Sequence, residues 1–178
     1  MTDPHSPVYQ EYYTRTPLQL FSGVGWKRLV AFRADELGVT LGGPVTRYRR
    51  FTVVVPWRDI EAVVVWATKK TMERPIRRIG LKLRQGVSDV PGPGSTISPQ
   101  LAASVAPHIE YQVIRNNRVI VFWKLDHTRL SAAVQAFAPH VQLRVHPVYR
   151  GRPGQGGGPG YGGGPGYGSG GSIFDIMP

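Results

Sequence analysis

The chain has 178 residues and a formal charge of +11, from 22 Lys plus Arg against 11 Asp plus Glu. Hydrophobic residues make up 41% and charged residues 19%, enough for one packed domain with tails and too little for two. The lack of cysteine excludes a disulfide framework, a Cys-ligated zinc or iron–sulfur site and a Cys nucleophile.

In chain order, Met1–Ser6 has no basic run followed by an apolar one, so no secretory signal is expected and the default address is cytoplasmic. No apolar run approaches the ~20 residues of a membrane span; the longest are Ala62–Ala67 and Val119–Trp123. Residues 1–25 carry Pro4, Pro7 and Pro17, with Tyr9, Tyr12 and Tyr13 in neither helical nor strand rhythm. They read as a flexible arm. Trp26–Ala34 reads as a first strand, Asp35-Glu36 as a tight turn, and Leu37, Val39 and Leu41 alternate in a second strand ended by Gly42-Gly43-Pro44. Phe51, Val53, Val55 and Trp57 share one face of a third. Ile60–Thr68 is a fourth, nearly continuous in apolar character, and Ile79, Leu81 and Leu83 alternate in a fifth.

Residues 85–100 form a loop, and Ser98-Pro99 starts a short helix to Ala106. Ile109, Tyr111 and Val113 alternate as a sixth strand, Asn116-Asn117 suits a two-residue hairpin, and Val119, Val121, Trp123 and Leu125 form the inner face of a seventh. Asp126 caps a helix whose Leu130, Ala133, Val134, Phe137 and Ala138 make one apolar stripe, and Pro139 stops it. Val141–Val145 adds a last short strand. The expected fold is mainly β with one C-terminal helix: a seven-stranded antiparallel barrel over residues 26–146, one mouth plugged by the amphipathic helix. Residues 147–172 read as a Gly/Pro/Tyr-rich linker, because 13 of the 22 glycines fall in 151–172. That stretch has a root-mean-square reach of about 26 Å. Residues 173–178 form a short apolar motif in which Ile173, Phe174, Ile176 and Met177 are candidate partner contacts. The same residues are also consistent with a tail end of no role.

Three segments carry a resemblance to the bacterial pleckstrin-homology-like (PH-like) superfamily. They are the strand–turn–strand Val30–Val39, the element Val55-Pro56-Trp57-Arg58-Asp59-Ile60, and the closing strand and helix Val119–Ala138. Seventeen Arg against five Lys resembles the usage of GC-rich actinobacterial proteins. The resemblance implies a PH-like barrel with a binding role. Two departures stand out: the closing helix has Phe137 and no Trp, and the first hairpin loop, Ala34-Asp35-Glu36, is acidic where phosphoinositide-binding members are basic.

The basic residues gather as Arg47, Arg49 and Arg50; as Lys69, Lys70, Arg74, Arg77 and Arg78; and as Lys82 and Arg84 on the fifth strand. By alternation Arg78, Gly80, Lys82 and Arg84 project together, which gives a cationic stripe for an anionic lipid surface, or a solvated basic face. Ile114, Ile120 and Phe122 alternate against the inner residues and would form an outward apolar patch, either for a partner or under the N-terminal arm. The five histidines show no metal-ligand spacing, and His108 with Glu110 at i, i+2 is a weak pair. No Ser/His/Asp set and no phosphate loop is present. Neither a helix-turn-helix nor an aromatic sheet platform marks nucleic-acid binding. The expectation is therefore a non-catalytic adaptor without cofactor or metal and with no small-molecule substrate, engaging a protein partner through the barrel and residues 173–178. The alternative is peripheral binding to anionic lipid at the inner membrane face through loops 47–50 and 69–78.

Overall fold

The computed structural model describes residues 7–15, 27–69 and 75–150. Two four-stranded sheets enclose the main core. The first holds β1 (Tyr9–Tyr12), β2 (Val30–Asp35), β3 (Gly38–Leu41) and β4 (Val53–Val55) in that order, antiparallel throughout. The second has the order β7 (Asn117–Val119), β6 (Ile76–Leu83), β5 (Ile60–Lys69), β8 (Gln142–Arg150). Its β5 and β8 run parallel, and its other pairs are antiparallel. One-turn helix α1 (Tyr48–Phe51), α2 (Pro99–Val105), α3 (Tyr111–Arg115) and α4 (His127–Phe137) complete a mixed α+β fold.

The expected closed barrel is not formed. The segment read as the sixth strand is helix α3, and β7 is three residues long, so the second sheet is too short at that edge to curl onto the first. Alternating apolar residues over five positions fit either period. Here Val113 and Ile114 turn together onto the sheet, which only a helix allows. The 1–25 segment also differs from an arm without structure: Tyr9–Tyr12 is an edge strand, with Tyr9 buried against Phe32. Half-buried Glu11 interrupts the inward set of Tyr9 and Tyr13, which hides the strand period.

Strand β5 is buried on both faces from Ala62 to Ala67, which accounts for its continuous apolar run. Val63 and Val65 join the main core with Phe32, Leu41, Ile79, Leu81, Trp123 and the α4 stripe Leu130, Ala133 and Val134. Ala62, Val64 and Trp66 form a second core with Ala102 of α2 and with Ile109, Val113 and Ile114. Gly80 lets α3 reach the sheet: a Cβ there would lie 2.7 Å from the Val113 carbonyl oxygen. α4 begins as the sequence indicates, with the Asp126 carboxylate accepting from the Arg129 N–H at 3.0 Å. β8 extends to Arg150, beyond the short strand expected, and its Pro147 falls where the pairing with β5 slips, on an edge strand that tolerates a missing donor.

Candidate binding groove

Phe122 faces outward and Trp123 inward as the alternation indicates, but Val119 and Val121 do not face inward. Arg118 is 3% exposed, while Val119, Val121 and Phe122 are 40%, 48% and 56% exposed. Ile114 is buried in the second core and Ile120 packs on the main core, so the expected patch of Ile114, Ile120 and Phe122 does not exist. Strand β7 ends at Val119, so the chain beyond it no longer keeps a strand's alternation, and Val119 and Val121 both face outward. The Asn116-Asn117 turn is absent as well. Buried Asn116 accepts from the Val90 N–H through Oδ1 and donates through Nδ2 to Asp89, holding the 85–95 loop to the sheet.

Arg118 is the centre of the rearrangement. Its Nε donates to the Gly42 carbonyl at 2.9 Å, and its Nη1 to the Asn117 carbonyl at 2.9 Å. Its Nη2 donates to the carbonyls of Phe51 at 2.7 Å and Pro91 at 2.9 Å. Gly92 makes room for the guanidinium, since a Cβ there would meet Nη1 at 2.2 Å. No carboxylate pairs with Arg118 among the described residues. Burial lowers its pKa to about 10, so it stays cationic at neutral pH, while the neighbouring Tyr13 hydroxyl is pushed by burial up to about 12. Four of the five N–H groups are thereby used, and one on Nη1 is left over.

Arg118 forms part of the wall of a cavity of about 400 Å³. Tyr13 and Thr14 line one side, Pro44, Val45 and Thr46 another, and Pro93, Val119, Val121 and Phe122 the remainder. The volume lies within the ~300–1,000 Å³ of ligand clefts. Phe122 is the one non-glycine residue with positive φ among those described, at 61°, and its carbonyl accepts from the Thr14 N–H. Such a conformation costs on the order of 1–3 kcal/mol and gathers at functional sites. A second cavity of about 370 Å³, between Trp66, Arg78, Ile97, Leu101 and Ile114, shares Pro93 and Val119 with the first.

The basic residues divide. Arg47, Arg49 and Arg50 are exposed in and beside α1, directly after the groove residues Val45 and Thr46. Arg77 and Arg84 are also exposed. The expected stripe along β6 is not a free face: Arg78, Gly80 and Lys82 lie opposite Trp66, Val64 and Ala62, the residues that α3 covers. Arg78 is half-buried, donates to Thr68 Oγ1 at 2.9 Å, and is lowered in pKa by burial. Lys82 Nζ lies 2.9 Å from Glu61 and 3.1 Å from Glu110, and Arg144 reaches the same two carboxylates. These hydrogen bonds raise the Lys82 pKa and lower that of Glu61. The side chain of Lys69, together with Lys70, Arg74, Ile173, Phe174, Ile176 and Met177, lies outside the described residues.

His108 and Glu110 line one small cavity with Arg144 and His146, where the His108 ring packs on His146 at 5.8 Å and Glu110 joins the Lys82 network. Among the described residues no three His, Asp or Glu gather as a metal site, and no helix is long and apolar enough to cross a membrane. No family model, no curated protein and no solved structure matches the chain.

Proposed function

We propose that the protein is a non-catalytic binding module whose groove takes an extended apolar peptide carrying an acidic residue, supplied by a protein partner. One observation carries this reading: Val119, Val121 and Phe122 are exposed beside a buried guanidinium that has carbonyl partners and no carboxylate. Apolar walls supply burial at about 25 cal/mol per Å², and a carboxylate bound near the cation supplies register. The PH-like affinity belongs to the same proposal. It rests on the Val55–Ile60 segment and on α4 packing over the core, and it carries the expectation of binding rather than catalysis.

Peptide-display selection on the full chain tests the groove. Enriched sequences should hold one Asp or Glu flanked by bulky apolar residues. Capture should be lost in Phe122→Asn, which keeps the backbone because Asn tolerates positive φ. Enrichment indifferent to Phe122→Asn, or no enrichment, rejects the groove.

A second reading is peripheral attachment to anionic lipid. It is favoured by one observation, the exposed Arg47, Arg49 and Arg50 adjoining exposed apolar residues at the groove.

A further inference from the structure

We infer that the groove has a resident competitor: the chain's own segment Ile173–Met177 docks there in cis, with the Asp175 carboxylate toward Arg118 and the α1 arginines, and a partner must displace it. This inference rests on the groove reading above and adds a regulatory occupant to it.

Complementarity is the first argument. The segment Ile173-Phe174-Asp175-Ile176-Met177 presents four apolar side chains around one carboxylate. Asp175 is the one acidic residue after Asp126 in a chain of charge +11. The groove presents the inverse pattern: apolar walls at Val45, Val121 and Phe122, a buried cation at Arg118, and exposed cations at Arg47, Arg49 and Arg50. Nη1 of Arg118 carries the one N–H of the guanidinium without a carbonyl partner, and a carboxylate is the acceptor that suits a cationic donor.

Reach is the second argument, and the sheet register supplies it. The last residue of β8, Arg150, pairs with Lys69 of β5. Val119, on the groove wall, pairs with Arg78 of β6, which pairs with Trp66 of β5. The tail therefore leaves the sheet three strand spacings across and three residues along from the groove, a separation of about 17 Å. The 22 residues from Gly151 to Ser172 include 13 glycines, and a chain of that composition spans about 26 Å root-mean-square. The span exceeds the separation without being wasteful, which puts the local concentration of the segment on the order of 10 mM. A segment that binds in trans with a dissociation constant of about 1 mM is then docked roughly ten times out of eleven.

The test is competition on the full chain. The probe is a fluorescein-labelled synthetic peptide of residues 171–178, titrated by fluorescence anisotropy into the wild type, into Phe174→Ser/Ile176→Ser, and into the latter combined with Phe122→Asn. The double tail variant should bind the probe about tenfold more tightly than the wild type, because its own segment no longer competes, and adding Phe122→Asn should abolish that gain. Asp175→Asn alone should give part of it. Equal affinity of wild type and tail variant overturns cis docking and leaves the groove reading to stand on the display selection. Probe binding by none of the chains overturns the inference outright, and probe binding unaffected by Phe122→Asn places the segment elsewhere and overturns it too.

Discussion

Arg118 shows how one residue sets the position of several segments. Three of its four hydrogen bonds join β7 to the end of β3, to the end of α1 and to the 85–95 loop. A buried cation is tolerable here because every bond goes to a carbonyl dipole, and hydrogen bonds to a charged group are the stronger kind. Arg118→Met would remove the donors and leave the carbonyls of Gly42, Phe51 and Pro91 without this partner. The expected cost is about 3 kcal/mol, read as a lower urea midpoint with an unchanged slope. Arg118→Lys should recover part of it, since an ammonium has three donors but no fork. A Met variant as stable as the wild type would show that water replaces the guanidinium at no cost. Trp57 plays a similar role at the β2–β3 turn: its Nε1 donates to the Asp35 carbonyl at 2.6 Å, so the tryptophan of the Val55–Ile60 segment pins the hairpin. Gly38 in that hairpin has φ 137° and sits against the Val55 carbonyl, a place no side chain could take.

Among the elements, β8 and the α2–α3 connection are joined by groups that titrate. His108 packs on His146, with Glu110 and Arg144 lining the same small cavity. Burial, and then the neighbouring His146, hold the His108 pKa below its ordinary 6.5. The unfolded chain therefore takes up this proton more readily than the folded one. The stability gained by keeping the ring neutral is fully present above pH 6.5 and is lost as pH falls through the lowered folded value. Urea midpoints at pH 7.5 and 5.5 should differ more for the wild type than for His108→Gln; equal differences would remove the ring from the account. The element scale also shows where sequence patterns suffice. Strands β2, β3, β5 and β6 were legible because one or both of their faces are buried and the apolar period reports it. Helix α4 was legible from its cap and stripe. β1 was not, because Glu11 lies between buried Tyr9 and buried Tyr13, which follows the strand, and α3 was not, because five residues are too few to separate the two periods.

Over the whole molecule, a net charge of +11 is not spread evenly. Lys82 and Arg144 are absorbed by Glu61 and Glu110, Arg115 by Asp89 at 2.7 Å, and Arg33 by Asp35 at 2.6 Å. Arg47, Arg49 and Arg50 are exposed and form no ion pair among the described residues, so their positive charge is uncompensated there. If this charge holds the protein to an acidic surface, Arg49→Glu/Arg50→Glu should abolish co-sedimentation with phosphatidylserine vesicles at low salt, and Lys82→Met should leave it unchanged. Each exposed arginine is worth ~1 kcal/mol near such a surface, so charge reversal at two positions shifts partitioning by well over tenfold. Equal losses in the two variants, or no vesicle binding by the wild type, would end the lipid reading and leave the groove as the binding surface.

The sequence by itself determined the β-rich core, the terminal helix and its cap, the apolar run that becomes the doubly covered β5, and the acidic first hairpin. All of these are set by near neighbours in the chain, through alternation, helical spacing and turn chemistry. Only the tertiary structure decided that β8 runs parallel to β5, that α3 replaces a strand and covers the supposed basic face of β6, and that Arg118 turns inward while Val119 and Val121 turn out. Those outcomes depend on partners far away in sequence. The Arg118 guanidinium finds the Gly42 carbonyl 76 residues away, and no local pattern around Arg118 encodes a carbonyl acceptor at that distance.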